Sequence, residues 1–434
     1  MMSFSPNTPE WMAPLLAAGL ALTTTGCDWD KYDPRLAEDA GAPATGDNCG
    51  RIDVLSDDFE DGEGEPQWDG YSSGGDATES GGQLQLTSGA ASTHYGSFIS
   101  ERYYDFREGS VAVEVTSLPD LATPARLELH VRRSDHQALV TRVSGNVLSF
   151  HKSVNGGAEI GSIAFDAGEH RWWRIRQADD SVFWETSANG SAWSVQAEEQ
   201  LDGLFDLDYV QVRLVLYSAG ADPATTASFD NVTTTGPGDG SWCPASVLRD
   251  DFSDDELADQ WLHRHGSGGI SAVRLNGQLT ISPVAELDED SYYSYIPSRL
   301  YDLTDSAVSL EVIELPKPPA TTFLRVSQGT DSIEMSLSEG MLTCSYGLEE
   351  GGTTVVEEPF VPAAHRWWRI RLAGNAIHWE ASRDGVSWSD VGLTSPNPIE
   401  DLTAADLRFG ITIGLENPGP GHARFDNFNV TPQP

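Results

Sequence analysis

Lysine is almost missing from this chain of 434 residues, standing only at Lys31, Lys152 and Lys317. Lysine and arginine together number 26 against 67 acidic residues, a formal charge of −41. A field of that sign repels phosphate backbones and anionic lipid headgroups, which excludes nucleic acid and a charge-held membrane surface as partners. Membrane-spanning length is missing from the apolar run Trp11 to Leu22, which holds about a dozen residues where a spanning helix needs about twenty. Cysteine is scarce, at four, and shows no zinc-type spacing. Helical periodicity is absent as well. What is present belongs to a folded protein: 39% hydrophobic residues and 13 tryptophans separate the chain from acidic disordered ones.

The apolar run has the length of the core of an export signal, so residues 1–26 are expected to be a signal peptide. Thr25-Gly26-Cys27 follows it. A small residue before cysteine at this place resembles a bacterial lipobox, which implies acylation of Cys27 and a cell-envelope location, with plain secretion as the alternative. Thr24 stands where the lipobox has leucine, and no basic residue precedes the run. Residues 27–48, rich in Pro, Ala, Gly and acid, suit a flexible tether. The membrane is then a partner only through the lipid.

An internal repeat organises the rest. Asp57-Asp58-Phe59 matches Asp250-Asp251-Phe252, Trp68 matches Trp261, His170 to Arg176 matches His365 to Arg371, and Phe229-Asp230-Asn231 matches Phe425-Asp426-Asn427. The offset, about 195 residues, is that of a whole domain rather than a solenoid unit. Two modules are expected, 49–236 and 243–434, joined at Gly236-Pro237-Gly238-Asp239-Gly240. Within each the apolar period is two, as in Val111-Ala112-Val113-Glu114-Val115, with turn signals about every ten residues. The fold class that follows is all-β: two tandem antiparallel β-sandwich domains of jelly-roll type.

Alternation places Trp368, Ile370 and Leu372 on one strand face and Trp367, Arg369 and Arg371 on the other. Counting back from the turn at Gly374-Asn375 sets Arg369 opposite Glu380 and, in the first copy, Arg174 opposite Glu185. Such cross-strand ion pairs contribute roughly 0.2 to 1 kcal/mol each. Asn189-Gly190 and Asp384-Gly385 supply the residues of a tight hairpin turn leading to Trp193 and Trp388. Of the remaining cysteines, Cys49 opens the first module and Cys243 follows its last strand. Antiparallel pairing of that module's first and last strands would bring its ends close enough for a Cys49–Cys243 bridge in an oxidising compartment. Cys344, in an apolar run, reads as a buried free thiol.

An opening Asp-Asp-Phe, a following Trp, the Trp-Trp-Arg-Ile-Arg strand, a Ser-x-Asp-Gly-x-x-Trp hairpin and a closing Phe-Asp-Asn together resemble the concanavalin A-like lectin/glucanase superfamily, and within it laminin-G-like jelly rolls. The first copy has Asn189 in place of the hairpin aspartate. The resemblance implies the fold, and its functions range over lectins, glycosidases, adhesion modules and structural domains. It also implies a structural calcium near the last strand, at Asp230 and Asp426 with Asp57, Asp58, Asp250 and Asp251 nearby; the alternative is plain strand-edge aspartates. The superfamily's paired catalytic carboxylates have one approximate match, Glu286-Leu287-Asp288-Glu289-Asp290. It ends in Asp, precedes its strand and has no counterpart in the first copy, so no catalytic residue is assigned.

Trp172 and Arg174, with Trp367 and Arg369, form an aromatic and polar face on which a saccharide could sit; the competing reading is arginine stacked on tryptophan as packing. The expectation is a non-catalytic, envelope-anchored binding protein that recognises a glycan or surface partner through tandem lectin-like modules. A spacer lipoprotein without ligand is the alternative, and a glycoside hydrolase stands third.

Overall fold

The computed structural model describes residues 49–431 except 51, 61–66, 90–93, 120–124, 135, 155–156, 202–206, 219–224, 237–241, 255–259, 266–269, 284–290, 350, 400 and 414–420. The expected signal segment, Cys27, the tether and the acidic run Glu286 to Asp290 lie outside the described residues.

Each half of the chain builds two seven-stranded sheets. In the first half one sheet, here called the front sheet, runs in the order Trp68–Ser73, Tyr95–Ser100, Gln211–Tyr217, Arg126–Ser134, Gln137–Ser144, Val147–Val154, Ala158–Ala164. The other, the back sheet, runs Ser194–Gln200, Ser181–Ser187, Trp172–Ala178, Ser110–Ser117, Thr225–Thr235, Leu84–Ser88, Asp76–Glu79. The second half repeats both orders. Its front sheet is Trp261–His265, Ser291–Pro297, Asp406–Ile413, Thr321–Gln328, Asp331–Ser338, Met341–Leu348, Gly351–Pro359, and Trp367–Ala373 lies central in its back sheet. Pairing within these sheets is antiparallel throughout, and chain neighbours in sequence are often separated in the sheet. This is a double-sheet antiparallel β-sandwich of jelly-roll type, once in each half.

Alternation decides what lies between the sheets. Leu127, Leu129, Val131, Val212 and Leu214 of the front sheet meet Val111, Val113, Trp173, Ile175 and Trp184 of the back sheet in one buried cluster. Leu324, Val326, Leu407 and Phe409 meet Leu310, Trp368, Ile370 and Trp379 in the other. Each such side chain contributes about 1.5 to 3 kcal/mol by leaving water.

The repeated motifs at the two ends of each half are backbone devices. Asp57 Oδ1 accepts from Phe59 N at 2.8 Å, and Asp250 Oδ1 accepts from Phe252 N at 2.7 Å. Each phenylalanine is thereby held in the left-handed region, at φ 54° and 51°, with its ring buried. Asn231 and Asn427 take the same conformation, φ 49° and 51°, which asparagine tolerates better than most residues. The opening segment pairs with the closing strand through isolated bridges, Asp57 to Val232 and Asp250 to Phe428.

A disulfide joins Cys49 to Cys243, 194 residues apart. Both cysteines pack in the core cluster of the second half, beside Tyr301 and Leu303. The short strand Cys243–Pro244 pairs with Tyr301–Asp302 of that half, so the bridge ties the start of the first half to the second. Cys344 is free and buried, and burial pushes its thiol pKa up to about 12.

Candidate functional site

The signature segment His-Arg-Trp-Trp-Arg-Ile-Arg is engaged residue by residue within the fold. His170 Nδ1 accepts from Asp166 N at 3.0 Å, which closes the turn before the strand. Trp173 sits in the core and its indole N–H donates back to His170 O at 3.0 Å; Trp368 and His365 repeat this at 2.9 Å. Arg171 and Arg366 ion-pair with Glu114 and Glu311 on the adjacent strand. The register is the one that counting from the turn gives, Arg174 opposite Glu185 and Arg369 opposite Glu380.

Both arginines of each outer face converge on one carboxylate. Arg174 Nε donates to Glu185 Oε2 at 2.6 Å, and Arg176 reaches both oxygens at 3.1 and 3.2 Å. Arg369 and Arg371 do the same to Glu380. Burial would raise the pKa of Glu185 and Glu380, but the arginine hydrogen bonds and charges outweigh it and hold both below the usual range. The guanidinium of Arg174 lies 4.1 Å from the centre of the Trp193 ring, and Arg369 lies 4.1 Å from that of Trp388. Trp172 covers the turn at Gly190, where an added Cβ would come within 2.9 Å of the indole. Trp367 is buried, at 3% exposure. The face thus joins Trp172, Arg174, Trp367 and Arg369 to neighbours that already use their polar and aromatic surfaces.

The hairpin beyond this face is longer than the tight turn that Asn189-Gly190 and Asp384-Gly385 suggest. Six residues separate Ser181–Ser187 from Ser194–Gln200. Asn189 Oδ1 accepts from Ser191 N and Ala192 N at 3.0 Å each, and Asp384 Oδ1 accepts from Val386 N and Ser387 N at 3.0 and 2.8 Å. These side chains satisfy the backbone inside the loop, which a two-residue turn would have satisfied across the strands.

Asp230 and Asp426 stand where the closing strand meets Glu114 and Glu311. Burial raises the pKa of Asp426 to about 6, helped by the charges of Glu311 and Asp251. Burial likewise raises Asp230, with Glu114, Glu60 and Asp58 adding to it. Carboxylates that resist ionisation for want of positive charge are hard oxygen donors suited to Ca²⁺. Asp57 and Asp250 spend an oxygen on the backbone N–H of Phe59 and Phe252, and Asp250 Oδ2 is taken by Arg274 and Trp261 at 2.6 Å each, so it is Asp230 and Asp426 whose acidic surroundings suit a cation. Among the described residues the one group of three close side-chain donors is elsewhere, at His378, Glu380 and Asp390. There Glu380 is occupied by Arg369 and Arg371, whose charges oppose a cation.

A second polar face, on the front sheet, escapes the sequence pattern. In the first half its outward rows run Val215, Glu128, Arg142, Ser149 and Arg213, His130, Val140, His151. Glu128 is only 1% exposed. It receives His130 Nε2 at 2.6 Å, is bonded by Arg142 Nε, and has Arg126 Nε at 3.8 Å. Burial opposes its charge, yet the His130 hydrogen bond and the histidine and arginine charges lower its pKa to about 2. His130 is shifted downward, first by burial and then by Arg213 and Arg132 against the pull of Glu128. Tyr95 and Tyr217 border the row, with their ring centres 5.6 Å apart. In the second half the same face carries a groove of about 330 Å³ lined by Arg325, Ser332, Glu334, Ser345, Tyr346 and Thr354. The signal in sequence was a Glu128-x-His130 alternation with arginine at Arg126 and Arg132, which reads as an ordinary solvated strand face.

The chain matches no protein-family model and no curated protein. Solved structures do resemble it. The catalytic domain of an endo-1,3-beta-glucanase (laminarinase) from Thermotoga petrophila RKU-1 is 12% identical, with a TM-score of 0.34, over 42% of this chain and 96% of that one. The laminarinase from Rhodothermus marinus is 13% identical at a TM-score of 0.33, over 42% and 96% of the two chains. A glycoside hydrolase family 16 endo-glucanase from Bacteroides ovatus is 10% identical at 0.33, over 42% and 100%.

Proposed function

We propose that this chain is a non-catalytic, envelope-anchored saccharide-binding protein, with its ligand on the outer faces of the front sheets. The observation that carries the reading is the face around Glu128: a buried carboxylate gripped by His130 and Arg142, bordered by stacked tyrosine and arginine side chains. Aromatic surface beside fixed polar groups is what a sugar ring and its hydroxyls require. The back-sheet face of Trp172, Arg174, Trp367 and Arg369 is the weaker candidate, since its arginines are held by Glu185 and Glu380.

Binding without hydrolysis is favoured by the state of Glu128. A retaining glycosidase uses two carboxyl groups about 5 to 5.5 Å apart, one of them kept protonated by a raised pKa. Glu128, held ionised by His130 and Arg142, is the one carboxylate on Arg126–Ser134, and where a second carboxyl group would stand two positions along the strand there is His130. The anchor is part of the proposal and rests on the apolar run and Gly26-Cys27; a mature protein whose Cys27 is unmodified and still follows that run would refute it. Affinity electrophoresis of the full chain in gels cast with a panel of polysaccharides, combined with a reducing-end assay, tests the function. Retardation without new reducing ends is expected. Release of reducing ends would make the protein a hydrolase, and no retardation by any polysaccharide would leave the ligand-free spacer.

A further inference from the structure

The front faces of the two halves differ in one respect that the repeat makes easy to see. Arg213 and Arg408 occupy the same place, in the sequences Gln211-Val212-Arg213 and Asp406-Leu407-Arg408, each paired across to the neighbouring strand at His130 and Arg325. In the second half every guanidinium of this row has a carboxylate. Arg408 is bonded to Asp406, and Arg325 Nε donates to Glu334 Oε2 at 2.6 Å. In the first half both counter-ions are replaced: Gln211 stands for Asp406 and Val140 for Glu334. Gln211 instead turns its amide to Ser100 O at 2.9 Å.

Arg213 is consequently alone. It is 6% exposed and forms no hydrogen bond or ion pair among the described residues; its Nε lacks an acceptor, as that of Arg408 does, so the two differ in the outer nitrogens, which only Arg408 spends on a carboxylate. Its guanidinium carbon lies 5.0 Å from the centre of the Tyr95 ring and 5.8 Å from that of Tyr217. Two aromatic faces hold a cation loosely compared with a carboxylate, and a charge withdrawn from water without a counter-ion is unfavourable. The one deeply buried carboxylate of the row, Glu128, is already shared by His130, Arg142 and Arg126. In a chain of net charge −41, this face concentrates Arg126, Arg142 and Arg213 within one row of strands.

We propose that the first half binds an acidic saccharide, with the carboxylate or sulfate of the sugar held by Arg213 and its ring against Tyr95 and Tyr217, and that the second half lacks this charge preference. The proposal rests on the saccharide reading above and specifies the ligand's chemistry. An anionic oxygen group completes the guanidinium fork in the way Asp406 completes Arg408. The second half, already neutralised, is left for uncharged sugar.

The test is calorimetric titration of the full chain with three tetrasaccharides: tetragalacturonate, a sulfated galactan tetrasaccharide, and uncharged cellotetraose. Wild type is compared with Arg213→Gln and with Gln211→Asp, which installs the second half's internal counter-ion. At least one acidic probe is expected to bind about tenfold more tightly than cellotetraose, and both variants are expected to abolish that margin. Whether galacturonate or sulfate shows the margin identifies the acidic group. Gln211→Asp is also expected to raise the melting temperature, which separates a lost ligand contact from a lost fold. Equal binding of acidic and neutral probes, or an acidic preference that survives both variants, overturns this inference and leaves the saccharide reading standing. No binding of any probe overturns both.

Discussion

At the scale of the residue, the two most perturbed carboxylates work in opposite directions. Glu128 is held at about 2 against an ordinary 4.5, so its ionised form stabilises the fold. That contribution is complete above about pH 4.5 and is lost as pH falls from there towards 2; 2.5 units correspond to about 3 kcal/mol. Urea midpoints measured from pH 6 to pH 3 are expected to drop further for wild type than for Glu128→Gln, and parallel lines would contradict this role. Asp426 is raised to about 6 beside Glu311 and Asp251. Added positive charge relieves that crowding. Millimolar Ca²⁺ at pH 7.5 is expected to raise the melting temperature by several degrees over an EDTA control, and Asp426→Asn to remove the increment. A melting curve indifferent to both would leave these residues as strand-edge aspartates.

At the scale of the element, the strand that carries the signature segment is explained by its own neighbours. Glu185→Ala strands Arg174 and Arg176 on the back sheet and is expected to cost about 2 kcal/mol, with Glu380→Ala costing about as much in the second half. A loss below a few tenths would place these pairs among ordinary surface ion pairs. This strand was legible in sequence because a period of two and the short turn Gly374-Asn375 fix both face and register. The loop from Ser187 to Ser194 was not, since Asn189 accepts bonds locally and lengthens what Asn-Gly suggests. The Glu128 face was hidden for a different reason. Outward polar positions on Arg126–Ser134 look solvated, and they become buried because Gln211–Tyr217, about eighty residues away in sequence, lies alongside. No local pattern announces that pairing. Nor does one announce Arg213, whose meaning appears only when Arg408 and Asp406 are set beside it.

At the scale of the whole molecule, the halves are fastened through corresponding segments. Arg102 crosses to Asp406 at 2.8 Å and to Pro297 O at 3.2 Å, while Tyr103 N donates to Ser298 O at 2.9 Å. In the reverse direction Arg299 bonds Asp208 O and lies 4.0 Å from the centre of the Tyr209 ring. The disulfide closes a loop of 194 residues, which restricts the unfolded chain by about 5 kcal/mol in the loop-entropy model. Reduction, or Cys49→Ser with Cys243→Ser, is expected to lower the melting temperature of both halves together, because Arg102 and Asp406 still couple them. Two separate transitions in the oxidised protein would show instead that the halves melt independently.

The central claim is that sugar is held on the front sheet and not on the back sheet that bears the signature segment. Hydrogen exchange of the full chain, with and without a saccharide retained in affinity electrophoresis, tests it most directly. Slowed exchange is expected in Arg126–Ser134, Gln137–Ser144 and Gln211–Tyr217, or in their second-half counterparts Thr321–Gln328, Asp331–Ser338 and Asp406–Ile413. Protection confined to Trp172–Ala178 and Ser181–Ser187, or to Trp367–Ala373 and Ala376–Ser382, would contradict the account.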